Sequence, residues 1–269
     1  MKPTALVVRA AGTNCDGEMC RAFQLAGAEV DLVHIDALAA DPARLDRYQL
    51  MGFPGGFSYG DDIASGRIFA MRLKERLWPA LARSASRGTL MIGACNGFQV
   101  MVQVGLLPGP GRGEAWSAQQ PVQTVALAEN AQARFVDRWV GFTPEPASVC
   151  IWTRGIADAY APEIRADVMQ LPVAHGEGRF TTQSPEVLAA LAGGGQVAVR
   201  YTENYNGSED SIAGICDATG RIFALMPHPE RYLEWNRHPY WTRLDSKTRA
   251  LPTPGFAMFR NAVAAASQL

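Results

Sequence analysis

The chain has no run of about 18 apolar residues, so no segment reads as a membrane-spanning helix. Nor does it have a Lys/Arg cluster on the scale of a nucleic-acid arm: 25 basic residues face 26 acidic ones, for a formal net charge of -1. Such a balance leaves no footprint for a polyanion, and nucleic acid is not an expected partner. Met1-Lys2-Pro3 leads at once into Ala5-Leu6-Val7-Val8, too short a run for a secretory h-region, and a cytoplasmic protein is expected. Cysteine is sparse: Cys15, Cys20, Cys95, Cys150 and Cys216 are odd in number and scattered, with no C-x-x-C pair. Neither a disulfide framework nor a zinc knuckle follows, and no metal site is expected. No G-x-x-x-x-G-K-[ST] loop occurs, so an ATP-dependent step is not expected in this chain. There are only four histidines, His34, His175, His228 and His238, which leaves few candidates for an imidazole base.

What is present is the composition of a globule. With 48% hydrophobic and 19% charged residues, the 269-residue chain has ample material for a core, and residues 1–269 are read as a single domain. Short apolar runs alternate with amphipathic stretches in its first 104 residues. Ala5–Val8 reads as a strand, about Asp16–Leu25 as a helix capped by Asn14 or Asp16, and Val30–His34 as a second strand. A helix at Pro42–Tyr48, a strand at Leu50–Phe53, a helix at Met71–Arg87, a strand at Leu90–Ala94 and a helix from Phe98 to Val104 follow. This order predicts an α/β fold with a mostly parallel open sheet and helices on both faces. After Pro108-Gly109-Pro110-Gly111 the pattern turns strand-rich, with strands expected at Val122–Leu127, Phe135–Phe142, Val149–Trp152, Leu171–Ala174 and Val197–Tyr201. Pro254–Ala266 reads as a closing helix with Phe256, Phe259, Val263 and Ala266 on its packing face.

Cys95 stands in Gly93-Ala94-Cys95-Asn96-Gly97, at the turn between an expected strand and an expected helix. Flanking glycines relieve crowding in so sharp a turn, and a helix N-terminus lowers a thiol pKa. The frame is that of the G-x-S-x-G nucleophile elbow with sulfur for oxygen, although an isolated cysteine also serves as a small buried hydrophobe. In Pro227-His228-Pro229-Glu230 an apolar strand ends in a proline-bracketed histidine, with a carboxylate two residues on. Residues two apart in extended chain share a side, so Glu230 can orient His228, and a Cys-His-acid constellation results; a surface ion pair in a turn is the plainer alternative. Gly55 and Gly56 follow the strand before the elbow strand, where a backbone N–H can serve a developing oxyanion, with the N–H of Asn96 as second donor. An ordinary glycine turn would look the same.

Pro54-Gly55-Gly56, Gly93-Ala94-Cys95-Asn96-Gly97-Phe98-Gln99 and Pro227-His228-Pro229-Glu230, in that order, resemble the class I glutamine amidotransferases. Gly12-Thr13-Asn14-Cys15-Asp16, Phe57-Ser58-Tyr59-Gly60-Asp61, Phe135–Val140 and Ala174–Phe180 narrow the resemblance to the family of glutaminase subunits of phosphoribosylformylglycinamidine synthases. The match is weakest over Gln183–Gly195 and Tyr240–Pro254. The resemblance implies that Cys95 attacks the side-chain amide of glutamine, His228 passes the proton to departing ammonia, and Glu230 orients His228. It further implies that Gly55, Gly56 and Asn96 line the oxyanion site and that Gln99 helps bind glutamine. His175 would border the glutamine site or the partner surface, unless its loop is a solvated turn; His34 and His238 are read as structural. Implied partners are a synthetase subunit, carrying the ATP and magnesium, and a small accessory subunit. Ammonia would pass to that synthetase for amidation of formylglycinamide ribonucleotide in purine synthesis. Two alternatives stay open: a stand-alone Cys-His-Glu hydrolase or peptidase of similar fold, and a regulatory pseudo-amidotransferase subunit.

Overall fold

The computed structural model describes residues 2–268. Its strands are β1 (Thr4–Arg9), β2 (Glu29–His34), β3 (Leu50–Phe53), β4 (Leu90–Ala94), β5 (Val125–Glu129), β6 (Val136–Pro144), β7 (Gln170–His175), β8 (Glu177–Thr182), β9 (Val197–Tyr201), β10 (Ile212–Cys216) and β11 (Ile222–Leu225). Nine of them form one sheet in the order β2-β1-β3-β4-β11-β10-β9-β6-β7, while β5 and β8 pair separately. From β2 to β11 every pairing is parallel, and from β11 onward the strands run antiparallel. The strand-rich segment thus extends the parallel sheet at one side.

Side-chain alternation explains the layering. Along β1, Ala5 and Val7 enter one core, with Met19 and Phe23 of the helix Asp16–Ala26 and Met258 and Phe259 of the helix Pro254–Ala266. Leu6 and Val8 enter the opposite core, with Phe69 and Leu73 of the helix Arg67–Ser86 and Phe98 and Met101 of the helix Asn96–Val104. A strand buried on both faces needs apolar residues at every position, and β3, β4 and β11 are buried throughout.

Several elements differ from expectation. The long helix begins at Arg67 instead of Met71, because Phe69 and Ala70 also find core to fill. Val122 is 82% exposed with no face to bury, and β5 starts only at Val125. Val149–Trp152 forms a turn, not a strand; its Trp152 is fully buried and its indole N–H donates to the Arg221 carbonyl at 2.9 Å. Pro42–Arg47 is a 3-10 helix, and short helices at Ile35–Ala40 and Pro185–Gly193 were not foreseen. Cys15 itself, not Asn14 or Asp16, is the N-cap of the first helix and makes no capping bond with its side chain. That sulfur is turned the other way, toward the site described next.

Parallel strands send their carboxyl ends to one edge of the sheet, so the loops after β1, β3, β4 and β11 meet there. These loops carry Gly12–Cys15, Gly55-Gly56, Cys95 and His228–Glu230. The antiparallel pair β6-β7 reaches the same edge: the N–H of His228 donates to the Pro172 carbonyl at 2.9 Å. The strand-rich segment therefore walls the crevice that the parallel strands open.

Candidate active site

Cys95 joins β4 to the helix Asn96–Val104 with φ 51 and ψ -109, a conformation that costs a non-glycine residue about 1–3 kcal/mol. Neighbouring bonds hold it. Its N–H donates to the Leu225 carbonyl at 2.9 Å, and its own carbonyl accepts from Phe98 and Gln99 at 2.9 and 3.2 Å. Gly97 allows the helix to start so close to β3, since a Cβ there would lie 1.8 Å from the Phe53 carbonyl oxygen. The thiol is almost covered, with Sγ 3.6 Å from the Ala174 carbonyl oxygen.

His228 and Glu230 are both buried, with Nδ1 and Oε1 2.7 Å apart. Two thiols, Cys95 and Cys15, lie within hydrogen-bonding reach of the imidazole. Burial opposes charge on the ring, but the Glu230 carboxylate, the Cys95 sulfur and the bonds to both thiols outweigh it, so the His228 pKa is raised well above the ordinary value. An imidazolium is thus favoured between sulfur and carboxylate. Gly55 packs against the ring, where a Cβ would stand 2.5 Å from Cε1.

Gly56 follows in the same turn, pinned to the loop after β1 by a bridge to Thr13 and by the Phe57 N–H donating to the Gly12 carbonyl at 3.0 Å. Asn96 is the first residue of its helix, where backbone N–H groups have no partner within the helix. Its side chain and that of Gln99 are buried in a polar mesh, so Gln99 is not a helix-surface amide. Asn96 Nδ2 donates to Gln99 Oε1 at 3.0 Å and to Asp61 Oδ1 at 3.3 Å, and Gln99 Nε2 donates to the Glu177 carbonyl. The Ser65 hydroxyl donates to Asp61 Oδ2 at 3.1 Å, while burial pushes the Asp61 carboxyl pKa up. Asp61, Ser65 and Glu177 had no role in the sequence reading; Asp61 and Glu177 stood there only as letters of longer motifs, and nothing local marks them.

His175 ends β7 and is 3% exposed, so its loop is not a solvated turn. Its Nε2 lies 2.6 Å from the Tyr205 hydroxyl, its Nδ1 is buried without a partner, and its ring rests against Gly178. Burial, with a lesser push from His228, lowers its pKa to about 3, which keeps the ring neutral. His34 accepts the Asp36 N–H at 3.3 Å as a helix cap. His238 is held by the Asp167 carbonyl at 2.6 Å among Trp139, Tyr232 and Tyr240.

Cys15 is the residue that sequence reading passed over. It is 1% exposed, its N–H donates to the Gly55 carbonyl at 3.2 Å, and its sulfur accepts from Arg231 at 3.1 Å. Donor atoms of Cys15, His228 and Glu230 all lie within 4.8 Å of one another.

An open parallel sheet with a strained cysteine elbow facing a His-Glu pair defines a class, that of the Cys-His-Glu glutamine amidotransferases. Residues 2–264 match the family of CobB/CobQ-like glutamine amidotransferase domains. A phosphoribosylformylglycinamidine synthase subunit PurQ from Dehalococcoides mccartyi is 42% identical over all of this chain and 99% of its own length. Another, from Methanococcus maripaludis, is also 42% identical, over 86% of this chain and 83% of its own. Among solved structures, a chain of PurLQS from Thermotoga maritima superposes with a TM-score of 0.72 and 30% identity, covering 98% of this chain and 99% of that one. A glutamine amidotransferase from the same organism shares the fold, with a TM-score of 0.51 at 12% identity over the whole of both chains. The protein belongs to the PurQ family of glutamine amidotransferases.

Proposed function

We propose that the protein is a glutaminase subunit that releases ammonia from glutamine through a thioester on Cys95. One observation carries the assignment of residues: the Cys95 sulfur, on a strained elbow, lies within reach of an imidazole whose Nδ1 stands 2.7 Å from a buried carboxylate. Cys95 gives its proton to His228, and the thiolate attacks the side-chain amide carbon of glutamine. The tetrahedral oxyanion accepts hydrogen bonds from the N–H groups of Gly56 and Asn96. His228 then protonates the departing nitrogen, the C–N bond breaks, and ammonia leaves behind a γ-glutamyl thioester. Water, deprotonated by the now neutral His228, hydrolyses the thioester to glutamate and restores the thiol. Glu230 holds the ring in orientation and offsets its positive charge, as the raised His228 pKa supports. Gln99, fixed by Asn96 and the Glu177 carbonyl, lies one helical turn beyond the nucleophile and helps bind glutamine.

The ammonia serves a separate synthetase subunit that amidates formylglycinamide ribonucleotide, which agrees with the PurQ relatives and with the PurLQS match. That synthetase binds the ATP and magnesium, and a small accessory subunit completes the complex. The protein works in the cytoplasm as part of such an assembly. Cys95→Ala tests it: ammonia release from glutamine should vanish while the fold and the binding of the synthetase persist. Turnover retained in that variant would overturn the mechanism.

A further inference from the structure

We propose that Cys15, His228 and Glu230 form a zinc site, and that Zn2+ bound there switches off ammonia release by taking His228 away from Cys95. The inference on activity rests on the glutaminase reading above; the inference on binding does not. Thiolate, imidazole and carboxylate are the three ligand types that Zn2+ takes in proteins, at about 2.3, 2.0 and 2.1 Å. Here one donor atom of each type lies within 4.8 Å of the others, on side chains all buried. Reaching the edge of a zinc tetrahedron needs shifts of about 1 Å, the longer separations closing while the 2.7 Å hydrogen bond between His228 and Glu230 opens, within the reach of side-chain rotation.

A second observation points the same way. Glu230 Oε2 is buried with no hydrogen-bond partner, although Oε1 is satisfied by His228. A carboxylate oxygen left bare inside a protein is costly, and a cation beside it would satisfy it. The Cys15 side chain caps nothing: it occupies the N-cap of the first helix yet makes no capping bond, and its sulfur stands beside the imidazole instead. The fourth position falls to water, since the Cys95 sulfur is not among the donor atoms grouped within 4.8 Å. Binding displaces the thiol proton of Cys15 and a ring proton of His228 to solvent.

One group opposes the metal. The Arg231 guanidinium donates to the Cys15 sulfur at 3.1 Å and must swing away, which its exposed ion pair with Glu18, at 3.4 Å, allows. Arg231 is therefore the competitor of the cation, and its removal should tighten binding.

Direct binding is read by titrating the full chain with Co2+ alone and then displacing it with Zn2+, following the thiolate-to-cobalt absorption band. One equivalent per chain is expected, with the band kept in Cys95→Ala and lost in Cys15→Ala. An unchanged band in Cys15→Ala, or no binding by the parent chain, overturns the site. Arg231→Gln gives a reading that does not depend on the folding of Cys15→Ala: Zn2+ affinity should rise about tenfold, and an unchanged or weaker affinity refutes the proposed competition. For the activity step, ammonia release by the complex with the synthetase is measured with and without Zn2+, each variant against itself. Half-inhibition should move to at least tenfold higher Zn2+ in Cys15→Ala. Binding without inhibition would refute the switch and leave the site, whereas a parent complex with no glutaminase activity at all would refute the reading beneath it.

Discussion

Adding a single methyl group at Gly55 should disable the enzyme while leaving every reacting residue in place. Gly55 does not need to be glycine for its backbone, because its φ lies outside the left-handed region. It needs to be glycine because a Cβ would stand 2.5 Å from Cε1 of His228, about 1 Å inside ordinary contact. Neither partner yields easily. The imidazole is 2% exposed, held at Nδ1 by Glu230 and bracketed by Pro227 and Pro229, while the carbonyl of Gly55 accepts the Cys15 N–H at 3.2 Å. A displacement of about 1 Å between a base and its nucleophile is worth roughly 100-fold in rate, or about 2.7 kcal/mol in the barrier. Overpacking should cost the fold about 1–3 kcal/mol, which is survivable for a chain of this size. The assay is ammonia release from glutamine by the complex with the synthetase, with thermal melts alongside. Gly17→Ala, where a Cβ meets nothing within 4 Å, is the control. Gly55→Ala should melt as a folded protein and lose kcat far more than it raises KM. A folded Gly55→Ala that turns over within twofold of the parent would refute the packing argument and, with it, the assignment of His228 as base.

Three further outcomes follow from the same geometry. Glu230→Gln keeps the shape but removes the charge that helps hold the His228 pKa high, so kcat should fall about 10²–10⁴-fold and the alkaline limb of the pH profile should move to lower pH. An unmoved limb would show that Glu230 does not act on the ring. His175 is neutral in the fold, its pKa lowered to about 3, whereas the unfolded ring takes up its proton near pH 6.5. The unfolded state therefore binds the extra proton below about pH 6.5, and His175 should cost about 1.4 kcal/mol per pH unit from there down to pH 3. Denaturant midpoints at pH 7 and pH 5 should diverge less in His175→Gln than in the parent; equal divergence would refute the shift. Gly97→Ala drives a Cβ to 1.8 Å from the Phe53 carbonyl oxygen and should destabilise the fold by about 3 kcal/mol, seen as a lowered melting temperature.

How much could be read before the fold was known depended on whether a residue's reason was local. Cys95 was legible because the elbow is written in five consecutive letters, and His228 with Glu230 because they stand two apart beside two prolines, although Pro229–Arg231 is a 3-10 helix and not the extended chain that puts residues two apart on one side. The parallel strands were legible because burial on both faces makes β3, β4 and β11 apolar at every position. Strands such as β6, β7 and β8 were harder, since burial alternates along them and strand ends follow exposure; Val122, just before β5, reads as strand and is 82% exposed. Val149–Trp152 misled for a related reason: its apolar letters answer to one buried indole, Trp152, not to a pleated face. The Asn96-Gln99-Asp61-Glu177 mesh was invisible because its members come from a helix, a turn and the start of β8 and meet only through tertiary structure.

Cys15 shows why the distant part of a site escapes a reading of motifs. Asn14-Cys15-Asp16 before an amphipathic stretch is a plain helix-start signal, and the helix does start there. Yet the cap position is filled by the residue with the weakest capping side chain of the three, which makes sense only if the sulfur has other work. The loop after β1 touches the crevice twice: through its backbone it ties down the Gly55-Gly56 turn, and through the Cys15 sulfur it reaches His228 and Arg231. The turn proposed to hold the oxyanion and the imidazole proposed to shuttle the proton therefore share one support. A change in that loop should move both together, so Thr13 and Cys15 variants should show coupled, not additive, losses of kcat when combined with Gly55→Ala. Strict additivity of those losses in a double-mutant cycle would mean that the loop after β1 is only a neighbour of the site and not part of its frame.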